Sequence, residues 1–154
     1  MKIGELAKMT HCQVVTIRYY ERAGLLPPPE RSEGNYRVYT PAHAERLVFI
    51  RNCRALDMTL DEVRQLLDYR DHPTEDCTGV NELVDEHIAH VTARIETLQA
   101  LHRQLTELRQ RCTEGRDSAD CQILQRLTTS DGYPGEQPVS HVGRSHRDLS
   151  GLGE

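Results

Sequence analysis

The sequence predicts a mainly α fold: a head of four short helices with a small hairpin, then one long amphipathic helix that ends in a cysteine-bearing loop and a further short helix. Three observations carry this. Apolar residues recur at helical spacing through the first 70 residues, broken once by Pro27, Pro28 and Pro29 and the β-leaning run "RSEGNYRVYT". From Val84 through Ile88, Val91, Ile95, Leu98, Leu101, Leu105 and Leu108 to Cys112, apolar positions advance by threes and fours with a mean step of 3.5, the narrow seam of a coiled coil. Beyond Ser130 the composition shifts to Gly, Pro, Ser and polar residues, which cannot build a core.

Taken in order, "IGELAKMTHCQVVTIRYYERAGLL" reads as two helices with a tight turn near residues 10–13, with Ile3, Leu6 and Ala7 on the first and Val14, Ile17 and Tyr20 on the second. Cys12 and Gln13 are poor caps, so the start of the second helix is left open. Gly24 supplies a left-handed stop, and Gly34-Asn35 turns a short hairpin, or wing. Thr40 before Pro41 opens a third helix, and Thr59 with Glu62 has capping-box spacing for a fourth that ends before Pro73. The expected organisation is a winged helix-turn-helix head over 1–70, a linker over 71–76, a dimerisation helix over 77–111, a loop and short helix over 112–129, and a flexible histidine-containing tail over 130–154.

Composition narrows the function. A hydrophobic content of 37% with one Phe and no Trp argues for a modest core and against a large enclosed active site. The net charge of -5 is uneven: residues 1–56 carry 9 Lys and Arg against 5 Asp and Glu, and residues 57–154 carry 10 against 19. An anion-binding head is expected. No apolar run reaches the roughly 20 residues of a bilayer span, and "MKIGELAK" has no signal-peptide core, so the expected location is the cytoplasm, with no membrane partner. In that reducing compartment five cysteines point to metal or redox use before disulfides. No residue set offers an ordered base and oxyanion donors beside Cys112 or Cys121, so an enzyme is not expected.

A helix-turn-helix with a wing needs cationic and hydrogen-bonding side chains on its second helix and hairpin to meet DNA, and Thr16, Arg18, Tyr19, Tyr20, Arg31, Tyr36 and Arg37 supply them. One tyrosine of the adjacent pair is expected in the core. Further along, Cys77 and Cys112 lie 35 residues apart, five heptads, on one helical seam. That is roughly 50 Å of helix, too far for one ion. Antiparallel pairing of two chains sets Cys77 of one against Cys112 of the other, and the loop to Cys121 can return a third thiol. Three thiolates select soft or borderline ions such as Cd, Pb, Hg and Zn. Spacing alone leaves equally open that Cys112 is a seam residue and the other two are surface thiols.

"IGELAK", "TIRYYERAGLLPPP" and "RSEGNYRVYTPAHAERLVFIRNCRALDMTLDEV" resemble the winged-helix head of the MerR family of bacterial transcriptional regulators, and the resemblance extends to about residue 129. It implies that Arg18 and Tyr19 lie in or beside the major groove, that Arg31, Tyr36 and Arg37 clamp phosphates, and that Arg54 adds a backbone contact. "DCTGVNELVDEHI" and a cysteine pair with eight intervening residues resemble the cadmium- and lead-responsive branch, which implies Cys77, Cys112 and Cys121 as ligands for Cd(II) or Pb(II). The implied function is a homodimer on a palindromic promoter that activates RNA polymerase by distorting the DNA when metal binds. A Hg(II)- or Zn(II)-responsive regulator of the same family is the alternative, with a thiol-dependent redox sensor or enzyme behind it. His87 and His90, at i and i+3, with His141 and His146 of the tail, form a candidate second, nitrogen-rich metal site.

Overall fold

A computed structural model describes residues 1–73, 76–112, 115 and 118–129. The chain runs α1 (Ile3–Thr10), α2 (Val14–Arg22), β1 (Glu30–Arg31), β2 (Arg37–Val38), α3 (Pro41–Ala55), α4 (Leu60–Asp71), α5 (Thr78–Gln110), a single 3-10 turn (Ser118–Asp120) and α6 (Gln122–Leu127). The fold is mainly helical, with an N-terminal helix-turn-helix and one long helix, in agreement with the expected class. His141 and His146 lie outside the described residues.

Local chemistry sets the corners of the head. His11 takes a left-handed conformation, φ 53°, and ends α1, while Cys12 N–H donates back to Ala7 O at 3.0 Å. The start of α2 falls at Gln13, which makes no side-chain cap, so the weak capping noted in the sequence is real. Gly24, at φ 73°, turns the chain so that Leu25 and Leu26 enter the core. In the wing, β1 and β2 pair antiparallel with Glu30 opposite Val38 and Arg31 opposite Arg37. Asn35 holds the left-handed position of its turn, and its side-chain oxygen accepts from Arg31 at 2.8 Å.

Leu6, Ile17, Leu25, Leu26, Tyr39, Leu47, Ile50, Val63 and Leu67 close one core between α1, α2, the wing's second strand and α3 with α4. Four arginines tie these elements together by donating to backbone carbonyls at helix ends and in the turns between helices. Arg46 Nε reaches Leu25 O at 2.6 Å, and its Nη1 meets both oxygens of Asp71 at 2.9 and 2.7 Å. Arg51 donates to Thr10 O, Arg54 to Met58 O and Arg64 to Ala23 O.

Only the first turns of α5 touch the head. Val80, Leu83 and His87 pack on it. Past them, Ile88, Ile95, Leu98, Leu101 and Leu105 are each between 46% and 57% exposed, a row of apolar side chains along about 25 Å of helix. Among the described residues no helix is long and apolar enough to cross a membrane.

The cap at α4 matters because α4 supports α5. Thr59 Oγ1 accepts from Glu62 N at 3.1 Å, and Glu62 Oε1 accepts from Thr59 N at 3.0 Å. Thr59→Ala is expected to lower the stability of the head by about 1 kcal/mol, read as a shift in the thermal or urea midpoint.

Candidate DNA face and thiol site

Basic side chains of the N-terminal head gather around one hollow. A shallow hollow between the start of α1, the recognition helix α2 and the wing is lined by Lys2, Ile3, Arg18, Arg31, Asn35, Tyr36 and Arg37. Arg18, Arg31 and Arg37 are exposed, and Tyr36 stands out at 71% exposure. Lys2 went unnoticed in the sequence because it precedes every periodic element; only the fold brings it beside Arg18. Between wing and α2, Glu21 accepts from the Tyr39 hydroxyl at 2.5 Å and lies 4.0 Å from Arg37 Nε. Burial and the adjoining carboxylate push the Tyr39 hydroxyl well above its ordinary range, so it stays a donor to Glu21.

Two of the residues expected to contact DNA are largely buried. Tyr20 is 2% exposed and belongs to the core, its ring 5.6 Å from that of Tyr19, which is the half-buried member of the pair. Burial raises the Tyr20 hydroxyl, and the nearby Arg54 guanidinium partly offsets this. Arg54 is itself 6% exposed and donates to Met58 O at 2.8 Å, closing the corner between α3 and α4 where Asp57 sits at φ 65°. Both side chains are mostly covered, and what remains of them lines the floor of a hollow beside α2. Thr16 is half-buried, in this second hollow with His11, Cys12, Gln13, Tyr20, Arg51, Arg54 and Ala55.

The five thiols fall into two classes. Cys53 is buried and Cys12 half-buried, and burial pushes both thiols above the ordinary cysteine range, which keeps them protonated. Cys77 is exposed and stands as the residue before α5. Cys112 follows the last turn of that helix, and Cys121 precedes α6. The two thiols meet through a hydrogen bond, and α6 contacts α5. The N–H of Leu124, then that of Ile123 and the Cys112 thiol, hold Cys121 below the usual thiol range, favouring the thiolate that binds metal. Within one chain the structure brings Cys112 and Cys121 together and leaves Cys77 at the opposite end of a 33-residue helix.

The histidines of α5 are not solvated alike. His87 is buried, with Nε2 2.8 Å from Leu56 O and Nδ1 2.9 Å from Glu62 Oε2. His90, half-buried one turn on, completes a cluster in which ligand atoms of Glu62, His87 and His90 all lie within 4.8 Å of one another. Glu62 had shown itself in the sequence only as a capping residue. Its second oxygen faces α5 across 25 residues of chain, a relation with no local signal.

The described geometry has close counterparts. The family described as "MerR HTH family regulatory protein" matches residues 1–70, and the family described as "MerR, DNA binding" matches residues 44–108. The chain is 43% identical over 125 residues, 81% of its length and 93% of the relative's, to the HTH-type transcriptional regulator ZntR homolog of Haemophilus influenzae. It is 38% identical over 126 residues, 82% of its length and 96% of the relative's, to the mercuric resistance operon regulatory protein of Bacillus cereus. Among solved structures, the transcription regulator PbrR691 from Ralstonia metallidurans CH34 in complex with lead(II) superposes with a TM-score of 0.76 at 55% identity, covering 83% of this chain and 99% of that one. The regulator MerR from Bacillus megaterium MB1 in complex with mercury(II) does so at 0.66 with 34% identity, covering 84% and 100%. Helix-turn-helix, wing and long helix, together with these matches, make the chain a member of the MerR family of DNA-binding transcriptional regulators and not an enzyme.

Proposed function

We propose that the chain works as a homodimer on a palindromic promoter and activates transcription when a soft divalent ion, Cd(II) or Pb(II), is held by Cys112 and Cys121 of one protomer and Cys77 of the other. The observation that carries this is the pairing of Cys112 with Cys121 at one end of a helix whose other end presents an exposed Cys77. Three sulfur donors fit a soft ion, and the PbrR691 structure, solved with lead(II), supports the choice of ion. The unpartnered apolar row of α5 supports the antiparallel pairing that a shared site requires. Hg(II) is the second reading, supported by the mercury(II) complex of the Bacillus megaterium regulator. The Glu62, His87 and His90 cluster is proposed as the protein part of a second, harder site, with His141 and His146 of the tail as further donors.

The chain's own residues give the ion a route to the DNA. Cys77 is joined directly to the first turn of α5, and the first three turns hold Val80, Leu83 and His87 against the head. A change of position at Cys77 therefore moves the head as a unit, because helix and core are both close-packed. Two heads moved in concert change the spacing of their recognition helices, and DNA held by Arg18, Arg31 and Arg37 bends or untwists to follow. RNA polymerase then meets a promoter with altered geometry. As in other switches, the ion contributes only its difference in affinity between the two arrangements.

Titration of the reduced apo dimer with Cd(II), followed by sulfur-to-metal charge-transfer absorbance and competed with Pb(II), Hg(II) and Zn(II), is expected to show one strongly held ion per protomer. Cys77→Ser should abolish that band and promoter activation together; an intact band would refute the shared site. Arg18→Ala or Arg37→Ala should weaken promoter binding by about 1–3 kcal/mol while leaving the metal titration unchanged, measured by fluorescence anisotropy at fixed salt.

A further inference from the structure

The exposed face of α2 is not purely cationic. Taking 100° per residue, Val15, Arg18, Tyr19 and Arg22 share one side of the helix, while Ile17 and Tyr20 occupy the other and are buried. Val15 is 44% exposed, and it lies in the first turn of the helix, beyond the Gln13 start. A β-branched residue at an exposed helical position is a poorer helix former than alanine, lysine or glutamine, so folding does not ask for valine here. The second helix of a helix-turn-helix places its N-terminal residues against base edges in the major groove. Val15 is the exposed apolar side chain in that first turn, and an apolar side chain has one complementary feature in the groove, the C5-methyl group of thymine.

We propose that Val15 is a specificity-determining residue that reads the methyl group of a thymine in each half-site of the promoter. The inference rests on the DNA-binding reading of this face and adds a base to it. Arg18 and Tyr19, on the next turn, flank Val15 and fix how deep the helix sits, so the valine methyls meet one base step.

The test uses the full-length protein. Duplexes are first selected from a randomised pool, and each thymine of the selected half-site is then replaced by deoxyuridine, which removes the methyl group and keeps the pairing. One thymine is expected whose replacement weakens wild-type binding about fourfold per half-site, the worth of one buried methyl group. Val15→Ala should lose the same factor on the thymine duplex and be indifferent to deoxyuridine there, whereas Val15→Thr, which keeps a methyl, should retain most of the response. A simple structural effect of the substitution would weaken all duplexes alike. Sequence-selective binding with equal deoxyuridine responses in wild type and Val15→Ala would overturn the thymine contact alone; failure to select any duplex would overturn it together with the DNA face.

Discussion

The structure depends on how α5 is joined to the head. A helix of this length, polar on most sides with one apolar row, has little stability by itself and no fixed direction unless something anchors its start. The anchor is the packing of Leu83 with His87, whose ring lies between the Leu56 carbonyl and the Glu62 carboxylate. Glu62 in turn caps α4 through Thr59. A single carboxylate thereby closes one helix and steers another. Everything distal, from the exposed leucines to the thiol pair, inherits its position from this corner.

The second constraint is the arithmetic of α5 itself. At 1.5 Å per residue it separates Cys77 from Cys112 by a distance that no side chain spans. The apolar row along its length is the kind of surface that seeks a partner, and in the proposed dimer a second copy laid antiparallel would cover the row and bring the separated thiols together in one step. Dimerisation and ion capture are then two readings of the same helix, and neither requires a preformed cavity.

Much of the fold was legible because it is encoded locally. Thr40-Pro41, Thr59 with Glu62, Gly24 and the seam from Val84 each speak through neighbours within a turn or two, and the structure places helix ends and turn where those signals put them. The start of α2 was not, since Cys12 and Gln13 carry no cap signal, and a periodic reading favoured Val14 over Val15. Arginines were the hardest to sort. Arg18 and Arg54 look alike in sequence, yet one is exposed and the other spends its donors on the backbone, and the carbonyls that decide this are set by tertiary packing. The same holds for Tyr19 and Tyr20, where only the orientation of α2 against the core separates a surface ring from an interior one. Of the candidate metal site, spacing left the three cysteines open and only the family resemblance singled them out, whereas the approach of Glu62 to His87 and His90 needed the fold.

Cys12 and Cys53 give the core a second use. Five soft donors in a chain this small would compete for any thiophilic ion, and mixed sets would dilute both selectivity and stoichiometry. Burial works here as a protecting group does in synthesis: it holds Cys12 and Cys53 toward the unreactive protonated form, whereas Cys121, before α6, is held toward the thiolate. In the proposed metal-binding reading, the hydrophobic packing that stabilises the head would thus also bias which sulfur atoms an incoming ion meets as thiolates.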